Sequence, residues 1–436
     1  MTVQLGHQGD LDAREALTRE LLAGAARCLP GACLGQNALP PDLAFVVERG
    51  EGARLWDTRG RSYLDYVLAS GPLLLGHAHP ALVRAVQAQV ARGSTFFWLS
   101  EPSIRLAEEV VRAVPCAEGV RFVSTGTEAT MLACRMARTL TRREKVLKFE
   151  GGWHGLHDYA MVGNWRLPSE APYPYPGPDV GGIPRGALAS VLVAPFNDLD
   201  TTARVAAEHA DDLAAIIVEP LQRTLSPRPG FLAGLRDLAQ RLGALLIFDE
   251  VVTGFRLAYG GAQEYYGVVP DLAVYGKALT GGFSLAAIAG RAEVMATADP
   301  ARKGTLDYAA LSGTLSGNAL ACAAGVAALT ELRRPGVYPR LHALGDRLRR
   351  GLARRAAEVG VPLQVLGDGP IAQVYFVAPG VELASERALL ASDRGKAGRF
   401  AAELLARGLF VLPHTKLYLS LAHTEADIDF TLDVMA

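Results

Sequence analysis

One feature narrows the possible folds more than any other. After Pro80, helical stretches alternate with short apolar runs, each closed by glycine or polar residues. The runs are Gly119–Val123, Lys145–Phe149, Ser190–Ala194, Ala214–Val218, Ala244–Phe248 and Leu272–Val274. Runs this short and this apolar suit strands buried on both faces. Their alternation with helices predicts an α/β fold built on a largely parallel sheet. Outside this stretch the rhythm differs. Residues 12–28 read as an amphipathic helix, and Phe45–Tyr66, broken at Arg49-Gly50 and Arg59-Gly60, reads as a small antiparallel sheet. Past Arg333-Arg334-Pro335-Gly336 come a long Arg/Ala/Leu helix, short strands around Leu363–Val377 and a helix at 396–407. The expected division is therefore a large domain over 76–332 and a smaller α+β domain over 333–436. Residues 1–75 are expected to pack with the smaller domain.

Composition removes several function classes. With 44 Lys+Arg against 45 Asp+Glu, the net charge of −1 gives no bulk attraction for nucleic acid or anionic lipid. No apolar run approaches the ~20 residues of a membrane span. The start, MTVQLGHQGD, lacks the basic and apolar regions of a signal peptide, so a soluble cytoplasmic protein is expected. Cys28, Cys33, Cys116, Cys134 and Cys322 are scattered and odd in number, which favours reduced, mostly buried thiols. Of the basic residues only six are lysine (Lys145, Lys148, Lys277, Lys303, Lys396, Lys416), the other 38 arginine.

Three segments carry chemistry. In Arg121-Phe122-Val123-Ser124-Thr125-Gly126-Thr127-Glu128-Ala129 a strand runs into a hydroxyl-rich turn and a helix. The unpaired N–H groups of such a first turn attract anions, although an ordinary N-cap, with Thr127 as capping residue, is the plainer reading of the turn taken alone. In Leu246-Ile247-Phe248-Asp249-Glu250 an apolar strand delivers two acids at its carboxyl end, where open α/β sheets bind ligands. A carboxylate there needs a cationic partner, and the plain alternative is an internal pair with Arg256. In Val274-Tyr275-Gly276-Lys277-Ala278 a lysine follows an apolar strand. Lost hydration there lowers its pKa and yields a usable amine nucleophile and base, the alternative being a structural lysine. The other five lysines read as solvated. His154 and His157 have metal-ligand spacing but no third ligand, so no metal site is expected.

An anion-binding helix start, a buried carboxylate and a desolvated lysine are together the contacts that pyridoxal 5′-phosphate requires for its phosphate, ring nitrogen and aldehyde. The chain resembles the class III pyridoxal-phosphate aminotransferases of fold type I, most of all their glutamate-1-semialdehyde 2,1-aminomutase branch. The likeness rests on Gly71-Pro72-Leu73-Leu74-Leu75-Gly76-His77-Ala78-His79-Pro80, Thr125-Gly126-Thr127-Glu128-Ala129, Gly152-Trp153-His154-Gly155, Phe248-Asp249-Glu250-Val251, Gly276-Lys277 and Gly313-Thr314-Leu315-Ser316-Gly317-Asn318. It implies a large domain with a mostly parallel sheet between helices, plus a smaller α+β domain. It also implies that Lys277 holds the cofactor as an aldimine and then shuttles the proton, while Asp249 pairs with the ring nitrogen. Val251 and Trp153 would cover the two ring faces, with His154 beside them, and Thr125, Gly126 and Thr127 would hold the phosphate. Glu219 would lie by the ring oxygen with Gln222 beyond it. Gly313 and Thr314 would reach the partner subunit's phosphate in a homodimer with shared sites. The implied reaction is ping-pong transfer from an amine or amino acid donor to a carbonyl acceptor, with pyridoxamine 5′-phosphate between the halves. The alternative is an aminomutase or epimerase acting within one substrate.

The chain also departs from that branch. The aminomutases' carboxylate-gripping arginine is absent from Pro30–Pro40, and Ser70 replaces a tryptophan. Phe97-Trp98-Leu99 replaces small residues at the expected pocket wall, and Pro413–Ser420 is shorter and lacks a glutamate. Leu167–Pro184 replaces the gating loop. Cofactor machinery is retained, and an apolar or weakly charged substrate pocket is expected.

Overall fold

The structure, a computed structural model, describes residues 3–165, 172–174, 177–378 and 380–435, with side chains from Asp10 onward. Its centre is a seven-stranded sheet. In spatial order the strands are Gly119–Val123, Ala286–Gly290, Leu272–Tyr275, Leu245–Asp249, Leu213–Val218, Lys145–Phe149 and Val191–Ala194. All are parallel except Ala286–Gly290, which runs antiparallel to both neighbours. The six expected strands are present within a residue or two. Ala286–Gly290 was not foreseen, because Ala-Ala-Ile-Ala-Gly has one β-branched residue, Ile288, and no aromatic to mark a strand.

Alternation along each strand sends side chains into two apolar layers. Leu246 and Phe248 join one with Leu147, Phe149, Ile216 and Val218. Leu245 and Ile247 join the other with Val146, Ala215, Ile217 and the inner face of helix Gly126–Thr141 (Ala129, Leu132, Ala133, Met136). Burying each such Leu or Phe contributes ~1.5–3 kcal/mol. The same parity decides the acids. Asp249, last in its strand, shares the face of Leu245 and Ile247, toward the helix whose start offers the anion site. Glu250 goes the other way and is fully enclosed, accepting from Thr253 Oγ1, Ala262 N and Gln263 Nε2. Burial pushes its carboxyl up to about 7.

The chain ends build the remaining layer. Val47–Glu51, Arg54–Asp57 and Ser62–Asp65 form the expected antiparallel sheet, and Leu409–Phe410 adds to it in parallel. Ala53, Leu64 and Tyr66 therefore share a core with Leu348, Leu404 and Leu432. Gln364–Leu366, Ile371–Tyr375 and Leu417–Tyr418 make a third sheet. The first helix runs from Val3 to Cys28, longer than its amphipathic part, and docks through Thr18 Oγ1 on Thr58 Oγ1 at 2.7 Å and Glu15 on Arg59. Cys116, Cys134 and Cys322 are buried. Among the described residues no helix is long and apolar enough to cross a membrane.

Candidate active site

A cavity of about 920 Å³ opens at the carboxyl edge of the parallel strands. Thr125, Gly126, Thr127, Trp153, His154, Glu219, Asp249, Val251 and Lys277 all line it. Strand geometry explains the convergence: Asp249 ends its strand, Lys277 lies two residues past Tyr275, and Glu219 directly follows Val218. Gly313 and Thr314 do not line the cavity of the single chain, and Thr314 is exposed. Gln222 does not line it either. Its Nε2 donates to Glu150 O at 2.7 Å, anchoring the turn beneath the site.

Asp249 is 4 % exposed and pairs with His154, not Arg256. Its Oδ2 lies 2.7 Å from His154 Nδ1 and its Oδ1 accepts from Val251 N at 3.1 Å. Arg256 instead donates to Val252 O and Gly71 O. The helix start resolves the earlier alternatives together. Thr125, not Thr127, is the N-cap, its Oγ1 accepting from Glu128 N while Glu128 Oε2 accepts from Thr125 N. The first backbone bond is made by Ala129 N to Thr125 O, which leaves the N–H groups of Gly126 and Thr127 ahead of the ladder. A Cβ on Gly126 would meet Val251 Cγ2 at 3.1 Å, so Val251 lies against the helix start.

Lys277 takes a left-handed backbone (φ 46°) between extended Gly276 and the turn Lys277–Leu279. Burial, aided by Lys416 and Arg256, outweighs Tyr418 and Asp249 and holds its ammonium below the usual lysine range. Trp153 stacks on Trp165 with centroids 5.3 Å apart and planes 20° from parallel. Its N–H donates to Glu219 Oε1 at 2.7 Å. Burial pushes Glu219 up, but Lys416, Arg223 and His154 more than reverse this, so the carboxyl sits below its usual range and is ionised at neutral pH.

Several residues in or behind the lining were not foreseen. Lys148 and Lys416, read from sequence as solvated, are buried. Lys148 Nζ donates to Ala160 O, Val162 O and Asn164 Oδ1, holding the stretch that leads into Trp165. Lys416, Arg223, Arg394 and Glu386 line the cavity. The signal for Lys148 lay in its own strand, where Leu147 and Phe149 flank it and both faces are buried. For Lys416 the only cue was the apolar Leu417-Tyr418-Leu419 that follows. Gln36 and Asn37 bring neutral amides from the arginine-free Pro30–Pro40 segment to the cavity. Phe97-Trp98-Leu99 forms none of the wall of the single chain's cavity. Ser100 caps helix Glu101–Ala113 and the preceding turn faces outward, leaving Trp98 82 % exposed. Residues 167–171, 175 and 176 of the expected active-site loop lie outside the described residues.

The donor set fits pyridoxal phosphate: free N–H groups at a helix start for a phosphate, a buried carboxylate for the ring nitrogen and a desolvated lysine for the aldehyde. His154 adds a buried Nε2 with no partner among the described residues. A sequence model of the family "Aminotransferase class-III" matches residues 37–434. Glutamate-1-semialdehyde 2,1-aminomutase of Desulfitobacterium hafniense (strain Y51) is 42% identical over 430 residues, 95% of this chain and 96% of that protein. An omega-transaminase from Sphaerobacter thermophilus superposes with a TM-score of 0.90 at 36% identity, covering 96% of each chain. A transaminase with PLP bound superposes with a TM-score of 0.86 at 30% identity, covering 96% of this chain and 95% of that one. The chain belongs to the class III aminotransferase family. It has the fold type I architecture, with a mostly parallel central sheet flanked by helices, and is a pyridoxal-phosphate-dependent enzyme.

Proposed function

We propose that this chain is an aminotransferase that passes an amino group between separate molecules, an amine or amino acid donor and a carbonyl acceptor. The observation that carries the reading is the asymmetry of the cavity. The residues suited to the cofactor are complete, while the substrate side presents Gln36, Asn37 and Lys416 where the aminomutase branch has an arginine and a glutamate. The likeness to an omega-transaminase supports it.

Pyridoxal phosphate, when bound, supplies an aldehyde that takes up the amino group and a ring that accepts the electron pair left on the donor carbon. The turn Thr125-Gly126-Thr127 binds the phosphate through its free N–H groups and hydroxyls. Asp249, fixed by His154 and Val251 N, keeps the ring nitrogen protonated. Val251 and Trp153, the latter backed by Trp165, would hold the ring from its two sides. Lys277, whose amine is freed of its proton more easily by burial, would take the proton from the donor carbon and deliver it to the carbon on the other side of the transferred nitrogen; the acceptor half would run in reverse. A homodimer belongs to this reading. Exposed Phe97, Trp98 and Leu99 suit a covered interface, and Gly313 and Thr314 suit a contribution to the partner's site.

A second reading, the aminomutase, is favoured by the name of the relative at 42% identity. Adding an amine donor alone to the holoenzyme separates them. Transamination predicts one equivalent of released carbonyl per site and bound cofactor left in its pyridoxamine form. Efficient conversion of glutamate-1-semialdehyde to 5-aminolevulinate, with no second substrate, would establish the other.

A further inference from the structure

We propose that Gln222 positions His154 through one buried water molecule, and that this bridge keeps His154 on Asp249. It rests on the reading that Asp249 serves the ring nitrogen, and it holds for transfer between molecules or within one. Gln222 was expected near the ring oxygen, yet it is fully buried and does not line the cavity. Its side chain needs another task.

Two buried polar atoms, His154 Nε2 and Gln222 Oε1, have no hydrogen-bond partner among the described residues. His154 is 3 % exposed and Gln222 0 %. Both face one spot. A Cβ built on Gly152 would meet Nε2 at 3.2 Å, Oε1 at 3.3 Å and Phe149 O at 3.0 Å. Gly152 is not among the residues of positive φ, so what a glycine supplies here is room.

The other bonds of the two side chains decide what the spot takes. Gln222 Nε2 donates to Glu150 O at 2.7 Å, which fixes the amide and leaves Oε1 as an acceptor. His154 Nδ1 lies 2.7 Å from Asp249 Oδ2, and a carboxylate there accepts, so Nδ1 carries the ring proton. Nε2 is then an acceptor as well. Two acceptors do not satisfy each other, whereas one water donates to both. Such a buried, polar, two- to four-partner setting is where structural waters sit.

The bridge has a consequence for the site. Thr130 Oγ1 donates to His154 O and anchors the backbone, which leaves the ring's orientation to its two nitrogens. With Nε2 held from behind, Nδ1 stays on Asp249. A supporting bond of this kind fixes a group that itself touches the cofactor.

The test begins with a high-resolution crystal structure of the native holoenzyme. It should show one water within about 2.7–3.2 Å of both His154 Nε2 and Gln222 Oε1. Gly152→Ala puts a methyl group in the space and Gln222→Met removes the oxygen, so each should lose the water. Each should weaken cofactor retention in equilibrium dialysis about two- to tenfold, the size of one neutral hydrogen bond. Because both act on the same water, the double variant should retain the cofactor no more weakly than Gln222→Met alone. A dry site, a direct bond between Nε2 and Oε1, native retention in both single variants, or additive losses would each overturn the proposal. If neither variant folds, the native structure still decides between a bridging water and none. Native retention in Asp249→Ala, with the water in place, would instead overturn the ring-nitrogen reading and leave the bridge standing.

Discussion

The two sides of the cavity are built in different ways. On the cofactor side, Thr125, Glu219, Asp249 and Lys277 lie at or within two residues of the ends of buried strands, all in one sheet. Their positions follow from a core that cannot shift without exposing Phe248, Ile216 or Leu147. On the substrate side, Gln36, Trp165, Glu386, Arg394 and Lys416 come from connections and from the layer made by the chain ends. A site assembled this way keeps its chemistry on the rigid sheet and varies its substrate through the loops. Damage to the two sides should therefore read out differently.

The largest effect is expected at Lys277. On the proposed reading Lys277→Ala removes the group that holds the cofactor and moves the proton, so kcat should fall by at least the ~10²–10⁴-fold of a lost general base. Stopped-flow absorbance should show no half-reaction, and appreciable turnover would transfer the role to Lys416. Asp249→Ala should come next. It frees the ring nitrogen and leaves His154 without its partner, and a lost charged bond of ~1.5–3 kcal/mol weakens cofactor retention about 10- to 150-fold. Equilibrium dialysis would measure it, and native retention would contradict the assignment.

The smallest effect tests the cofactor side again. Gly155 has φ +98°, and a Cβ there would lie 2.5 Å from Thr127 Oγ1. Gly155→Ala should strain the phosphate turn by about 1 kcal/mol, roughly fivefold in cofactor affinity, with substrate binding unaltered.

This contrast also explains what could be read from sequence. A strand end is a local event, so Asp249 and Lys277 were visible as polar residues closing apolar runs. Side-chain parity then separates Asp249 from Glu250, but only once the strand's faces are known. Lys416 was invisible because the strand it precedes is placed by contacts of Tyr418 with Tyr66, Ile371 and Gly71, which arise only through tertiary pairing. Phe97-Trp98-Leu99 misled for the opposite reason. Apolar character suggested a pocket wall, while in the single chain the Ser100 cap turns the segment outward, away from that chain's own cavity. Ala286–Gly290 passed unnoticed because its neighbours, not its residues, make it a strand.

The central claim is that, of the two lysines lining one cavity, Lys277 and not Lys416 takes the cofactor. Borohydride reduction of the native holoenzyme fixes the cofactor on whichever lysine holds it, and peptide mass spectrometry then locates the added pyridoxyl group. The account predicts that group on the peptide containing Lys277, with the Lys416 peptide unmodified. Label on Lys416, or on both, would contradict it.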